Sequence, residues 1–390
     1  MRTTINEYLN QFDLDVRKSH DARYVDQKCT PDIVCFMADC VMNMMATKPV
    51  FVINDIWETQ YFIQNSRVIF NKPWANDKKA YNEYNKVLSQ PLKLLAYAHI
   101  LNVEIVNGAL TFSVANDELL DYISRKDRNA YNFLYCYFTK VLSDSAFMKY
   151  MEEYATKCKN NAIEARDELY NRYYMFINGN TPSHSKLDIR RMFHKVINVY
   201  ATEHHLHGSN GKIAYYSDLM YNKKNWRDTE KDKTLTRQEA SNQEVIEKQE
   251  AINKYYLQKA ISLIRKIHTV SEVKDSWGNG DATQVHHIFP KSQFPQIAHY
   301  VENLILLTAT QHYSKAHPNN KTQQVNNDYQ LVCLLAKAET IENSLKQFGE
   351  KYYRKESFVH IINTGLTTEL STKLTFDDIK TTLVQLYNTA

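Results

Sequence analysis

The sequence predicts a predominantly helical α+β chain in which a small strand–strand–helix unit is embedded between helical regions. Three observations lead there. Apolar residues recur at helical spacing along most of the 390 residues, with only 8 Gly and 8 Pro to interrupt them. One Asn-Gly dipeptide, Asn107-Gly108, lies between two alternating runs and signals a hairpin. Residues 284–289 alternate as a strand does, residues 304–307 form a second, short apolar strand, and a helix-capping threonine follows.

Composition narrows the class before any motif is read. With 43% hydrophobic and 24% charged residues, the chain can bury more than one core and is neither collagenous nor largely disordered. No apolar run reaches the ~18 residues of a membrane span, and the charged first turn is unlike a signal peptide, so a cytoplasmic protein is expected. The excess of Lys, Asn, Ile and Tyr suits an AT-rich bacterial genome. The six cysteines contain no CxxC pair and read as reduced core thiols. Residues 1–150 hold 17 basic and 17 acidic side chains, residues 151–320 hold 23 and 19, and residues 321–390 hold 8 and 8. The whole +4 excess therefore sits mid-chain, which permits a polyanionic partner without requiring one.

In chain order, Thr4 with Glu7 reads as a capping box. Thr30-Pro31 opens a second helix with Ile33, Val34, Met37, Cys40 and Val41 on one face. A third helix is expected after Pro91, followed by the hairpin around Asn107-Gly108. Helix, hairpin, helix is the order of a winged-helix module, a frequent reader of duplex DNA, and it also occurs in proteins that never touch nucleic acid. Residues 116–178 continue as helices rich in Tyr and Phe, which serve mainly as core and boundary residues. Residues 223–250 are highly charged and read as an exposed loop leading into a helix at 252–267. Helices are expected again at 331–345 and 376–387.

The chemistry concentrates in residues 277–317. His286 and His287 lie on a strand closed by Pro290, and adjacent strand residues face opposite sides. Asn303 precedes the second strand. His312 stands nine residues after Asn303, on a helix capped by Thr308 or Thr310. Two strands and a helix therefore gather His286, His287, Asn303 and His312 within one unit. Other letter matches are weaker. Glu203-His204-His205-Leu206-His207 lacks the accompanying Asn and reads as non-catalytic. Pro31-Asp32 with Asp77-Lys78-Lys79 spells a PD-(D/E)xK pattern, but Asp32 belongs to a helix. Gly211-Lys212 lacks the earlier glycine of a phosphate loop, so no nucleotide cofactor is expected.

That order of His-His, Asn and His resembles the HNH, or ββα-metal, nuclease family, over about a tenth of the chain. The resemblance implies that His286 and His312 hold a divalent metal ion, that His287 is the general base, and that Asn303 braces the loop orienting it. His317 departs from the pattern, because the family's third ligand stands four residues beyond the second. At five residues it would lie about 140° round an α-helix, which favours a phosphate contact or a surface position over a third ligand. Lys291 and Lys315 are candidate phosphate contacts. The resemblance further implies one divalent ion per site, with Mg2+ foremost, and two imidazole ligands, softer than an Asp-His set, would let Mn2+ or Ni2+ serve alongside. The products would carry 5′-phosphate and 3′-hydroxyl ends, and the partner would be double-stranded DNA. Cutting both strands would take a homodimer or two sequential nicks.

A long N-terminal part ahead of an internal nuclease unit looks like a Type II restriction endonuclease. A homing or mobile-element endonuclease, or a DNA-binding protein on an inactive HNH scaffold, are the alternatives. Four segments are expected: 1–150, helical, winged-helix-like and concerned with DNA recognition; 151–275, a basic helical connection; 276–320, the catalytic unit; and 321–390, a C-terminal helical region.

Overall fold

The computed structural model describes residues 1–70, 75, 80–221, 237–317 and 326–389, with residues 237–250 and 389 described by their backbone alone. The chain is α+β and predominantly helical, and it forms two compact units, Arg2–Leu235 and Thr236–Ala390. No helix among the described residues is long and apolar enough to cross a membrane.

The N-terminal unit is built round helix Pro31–Met45, which is buried on nearly every side. Pro31 stands at its first position, where a missing N–H costs nothing. Helices Asp117–Arg125 and Asp127–Asp144 pack against it. Beside them runs a three-stranded antiparallel sheet of β1 (Val50–Val52), β2 (Leu101–Val106) and β3 (Ala109–Val114), ordered β1-β3-β2. Asn107 and Gly108 both have positive φ, 51° and 78°, the geometry that a two-residue hairpin turn needs. All six cysteines are free and buried.

Three local expectations are corrected here. The first helix is Arg2–Leu9, so Thr4 lies inside it and caps nothing. Pro91 does not begin a helix but sits within Tyr81–Tyr97. Burial of Tyr84, Val87, Leu88, Leu92 and Leu95 on that helix offsets the backbone bond the proline removes. The charged stretch at 223–250 is helical from Arg237 onward, and its first part lies outside the described residues.

Among the described residues of the C-terminal unit, a core cluster runs from Leu257 to Leu383 and draws on both strands and all four long helices. Strands β4 (Ala282–His287) and β5 (Leu304–Thr308) pair antiparallel, with His286 opposite Ile305 and His287 opposite Leu304. A two-stranded ladder is marginal by itself. Here it shares a core with helices Arg237–Ile267, Asn327–Phe348, Lys355–Leu366 and Phe376–Thr389, and every residue of β5 is buried. The helix at 355–366 was not anticipated. Its Gly365 lies so close to Phe289 that an added Cβ would fall 2.3 Å from the ring.

Polar ties fasten the helices to β5. The Glu272 N–H donates to the Leu306 carbonyl at 3.0 Å, and the Leu306 N–H returns a bond to Glu272 Oε1 at 2.9 Å. Lys337 Nζ, wholly buried, lies 2.9 Å from Glu272 Oε2 and donates to the Tyr353 hydroxyl at 3.0 Å. Removing one member of such a pair strands a charge in a dry interior. Lys337→Met is therefore expected to cost the C-terminal unit about 3–5 kcal/mol in urea unfolding. Adding Glu272→Gln, which keeps the acceptor for Leu306, should restore a large part of that loss.

Candidate metal centre

Strand alternation sends His286 and His287 to opposite faces of β4. His286 is 2% exposed and points toward the segment after β5. His287 is half-buried, and its Nε2 lies 3.2 Å from the Ala298 carbonyl. A carbonyl only accepts, so Nε2 carries the proton and Nδ1 is left as the ring's acceptor. Burial pushes the His287 pKa down, and the nearby Lys291 charge adds to that effect, while the Ala298 carbonyl opposes it.

The loop presenting Ala298 is tied by Asn303, which is 0% exposed. Its Nδ2 donates to the carbonyls of Phe289 and Ile297 at 3.1 and 3.3 Å, and its Oδ1 accepts the Phe289 N–H at 2.9 Å. Asn303 thus closes the loop across its neck, and the Ala298 carbonyl is placed as a consequence.

After β5 the chain enters a π-helical turn, Gln311–Ala316. Thr308 caps it, its Oγ1 accepting the Gln311 N–H at 3.2 Å, and Thr310 makes no side-chain cap bond. The π-turn overturns the geometry expected of His317. A turn closed by i→i+5 bonds sets the fifth residue above the first, where an α-turn would carry it away. His317 is therefore 5% exposed rather than on the surface, and its ring centroid lies 4.7 Å from that of His312 and 4.9 Å from that of His286. The sequence held one sign of this: His317 precedes Pro318, and the residue before a proline avoids helical ψ. His317 indeed has the extended angles φ −114°, ψ 110°.

One nitrogen from each of His286, His312 and His317 lies within 4.8 Å of the other two. His286 Nε2 and His312 Nδ1 are buried without a hydrogen-bond partner. Burial and the neighbouring histidines push His286 far below the usual imidazole value, and His312 down to about 4. Three imidazoles converging on one point, two of them resisting protonation and each with an unsatisfied nitrogen, fit a divalent cation. Among the described residues this is the group of His, Cys, Asp or Glu side chains arranged to hold a metal ion.

The other candidates fall as follows. Lys291 is exposed beside His287. Lys315 lies over the Trp277 ring with its Nζ 4.7 Å from the centroid. His204 packs on Tyr200 and meets the Tyr135 hydroxyl at 3.3 Å. Asp32 accepts bonds from the Thr30 hydroxyl and the Tyr221 N–H at the start of its helix, and Asp77, Lys78 and Lys79 lie outside the described residues. Sequence reasoning did not single out Gln311, the buried residue immediately before His312. No protein-family profile, curated protein or solved structure matches this chain.

If His317 is a ligand, His317→Ala should weaken binding of Co2+ or Zn2+ by more than about tenfold in calorimetric titration. Unchanged affinity would show that His286 and His312 suffice.

Proposed function

We propose that the C-terminal unit is an HNH-type, metal-dependent endonuclease and that the chain cuts double-stranded DNA at specific sequences. The observation that carries this reading is the joint placement of two sets of residues. His286, His312 and His317 converge on one side of β4, while His287, the last residue of that strand, meets through its Nε2 the loop that Asn303 closes.

The donor set favours a borderline cation. Three imidazoles and no carboxylate suit Zn2+, Ni2+, Co2+ or Mn2+ better than Mg2+, which prefers oxygen. This revises the expectation that put Mg2+ first. Held by His286, His312 and His317, such an ion would supply Lewis-acid stabilisation of the phosphate and of the departing oxygen. The protein's own residues supply the rest. His287 Nδ1 takes a proton from water as the water oxygen bonds to phosphorus and the bond from phosphorus to the 3′-oxygen breaks. Nε2–H held by the Ala298 carbonyl fixes the ring for that transfer, and Asn303 holds the neighbouring Ile297 carbonyl. The 3′-oxygen leaves as a hydroxyl after protonation from solvent, and the phosphate stays on the 5′ side. Lys291, exposed beside His287, places a cation where a phosphate would approach.

Sequence recognition falls to other parts of the chain, and within the N-terminal unit the hairpin is a poor candidate. Residues 101–114 contain no Lys or Arg and a single Glu104, so this wing offers phosphates no cation. The mid-chain cationic excess supports a DNA partner better than the hairpin does. The restriction-enzyme reading rests on the long unit preceding the nuclease motif.

The test is incubation with plasmid DNA in Mn2+, Ni2+, Zn2+, Co2+ and Mg2+, beside His287→Ala, with the ends sequenced. Discrete fragments with 5′-phosphates, cut about 10²–10⁴ times more slowly by the variant, are expected. A random smear would leave the chemistry and remove sequence specificity. Absence of cutting in every metal, with DNA still bound, would favour a DNA-binding protein on an inactive scaffold.

A further inference from the structure

A turn widened to π spacing is rare, and it persists where its surroundings hold both ends. The turn carrying His312 and His317 is held in this way. At its far end Ala316 is buried and its carbonyl accepts the Asn326 N–H at 2.9 Å. At its near end stands Gln311, 0% exposed.

The Gln311 amide uses all four of its hydrogen-bonding positions. Oε1 accepts from the Ser271 hydroxyl at 2.6 Å and the Thr308 N–H at 3.0 Å. Nε2 donates to the Val273 carbonyl at 2.9 Å and to Asp275 Oδ1 at 2.8 Å. Asp275 in turn accepts from the Tyr329 hydroxyl at 2.8 Å, which brings helix Asn327–Phe348 into the network. Gly278 closes over the amide, since a Cβ there would lie 2.7 Å from the Val273 carbonyl and 3.1 Å from Gln311 Nε2. The segment at 271–278, the end of β5 and a C-terminal helix thus meet on the residue immediately before His312.

We propose that Gln311 is a positioning residue, whose buried amide keeps the turn in π spacing and so sets His317 beside His312 as the third metal ligand. The proposal rests on the metal-centre reading above. Without the amide bonds the turn is free to tighten to α spacing. His317 would then lie about 140° round the helix from His312, and only His286 and His312 would remain together. Gln311→Met, similar in length but unable to make the four bonds, isolates this role.

The experiment is Co2+ titration of the full chain, followed by visible absorption, for wild type, Gln311→Met, His317→Ala and the double variant, with circular dichroism to check folding. Gln311→Met should bind Co2+ about 10- to 100-fold more weakly than wild type, with an altered spectrum. His317→Ala should weaken binding in the wild-type background and add nothing in the Gln311→Met background, because the same ligand is already lost. A folded Gln311→Met with wild-type affinity and spectrum would overturn the proposal, as would two effects that simply add. Should Gln311→Met fail to fold, Ser271→Ala, which removes one of the four bonds, should weaken binding severalfold, and an unchanged affinity would overturn the proposal. If wild type itself takes up no Co2+, the metal-centre reading falls and this proposal falls with it.

Discussion

Packing His286 and His312 against His317 imposes a constraint that the rest of the C-terminal unit serves. Burial and the rings facing them at about 5 Å make His286 and His312 resist protonation, because a charge there would be poorly solvated. A buried acceptor without a donor costs about 1–3 kcal/mol, and His286 Nε2 and His312 Nδ1 are both in that position. A fold bears such a cost where it is useful. A cation between the rings would relieve it at both atoms at once.

Holding the rings there requires rigidity that two short strands do not have. The unit obtains it by burying β5 completely and by fastening the surrounding helices through buried polar groups. Glu272 and Lys337 tie helix Asn327–Phe348 to Leu306. The Gln330 amide donates to the Ile288 carbonyl at 2.7 Å, just past the paired histidines. Phe289 and Gly365 meet at contact distance. The residues expected to form a small catalytic module at 276–320 therefore share one core with helices on both sides of them in sequence.

Features resting on local chemistry were legible in the sequence. Asn107-Gly108 specified its turn because few residues tolerate two successive positive φ angles. Pro31 opened its helix for a similarly local reason. His286, His287, Asn303 and His312 were legible as a set because alternation and spacing alone decide which faces they take. Expectations failed where tertiary packing overrides propensity, as when Pro91 is carried inside a helix by the apolar residues around it. They failed also where a periodicity was assumed. The place expected for His317 followed from α spacing, and the turn is π. The network that holds that turn joins Ser271, Val273, Asp275, Thr308, Gln311 and Tyr329, which no local pattern connects. The possible wing was recognisable as a hairpin, yet its lack of cations argues against the DNA contact that the order of elements suggested.

The most direct test of this account is X-ray absorption spectroscopy on the protein loaded with one equivalent of Zn2+. The account predicts three imidazole nitrogens at about 2.0–2.1 Å with a light-atom ligand completing a tetrahedron. A shell with one imidazole or none, or one dominated by carboxylate oxygens, would contradict a centre built from His286, His312 and His317.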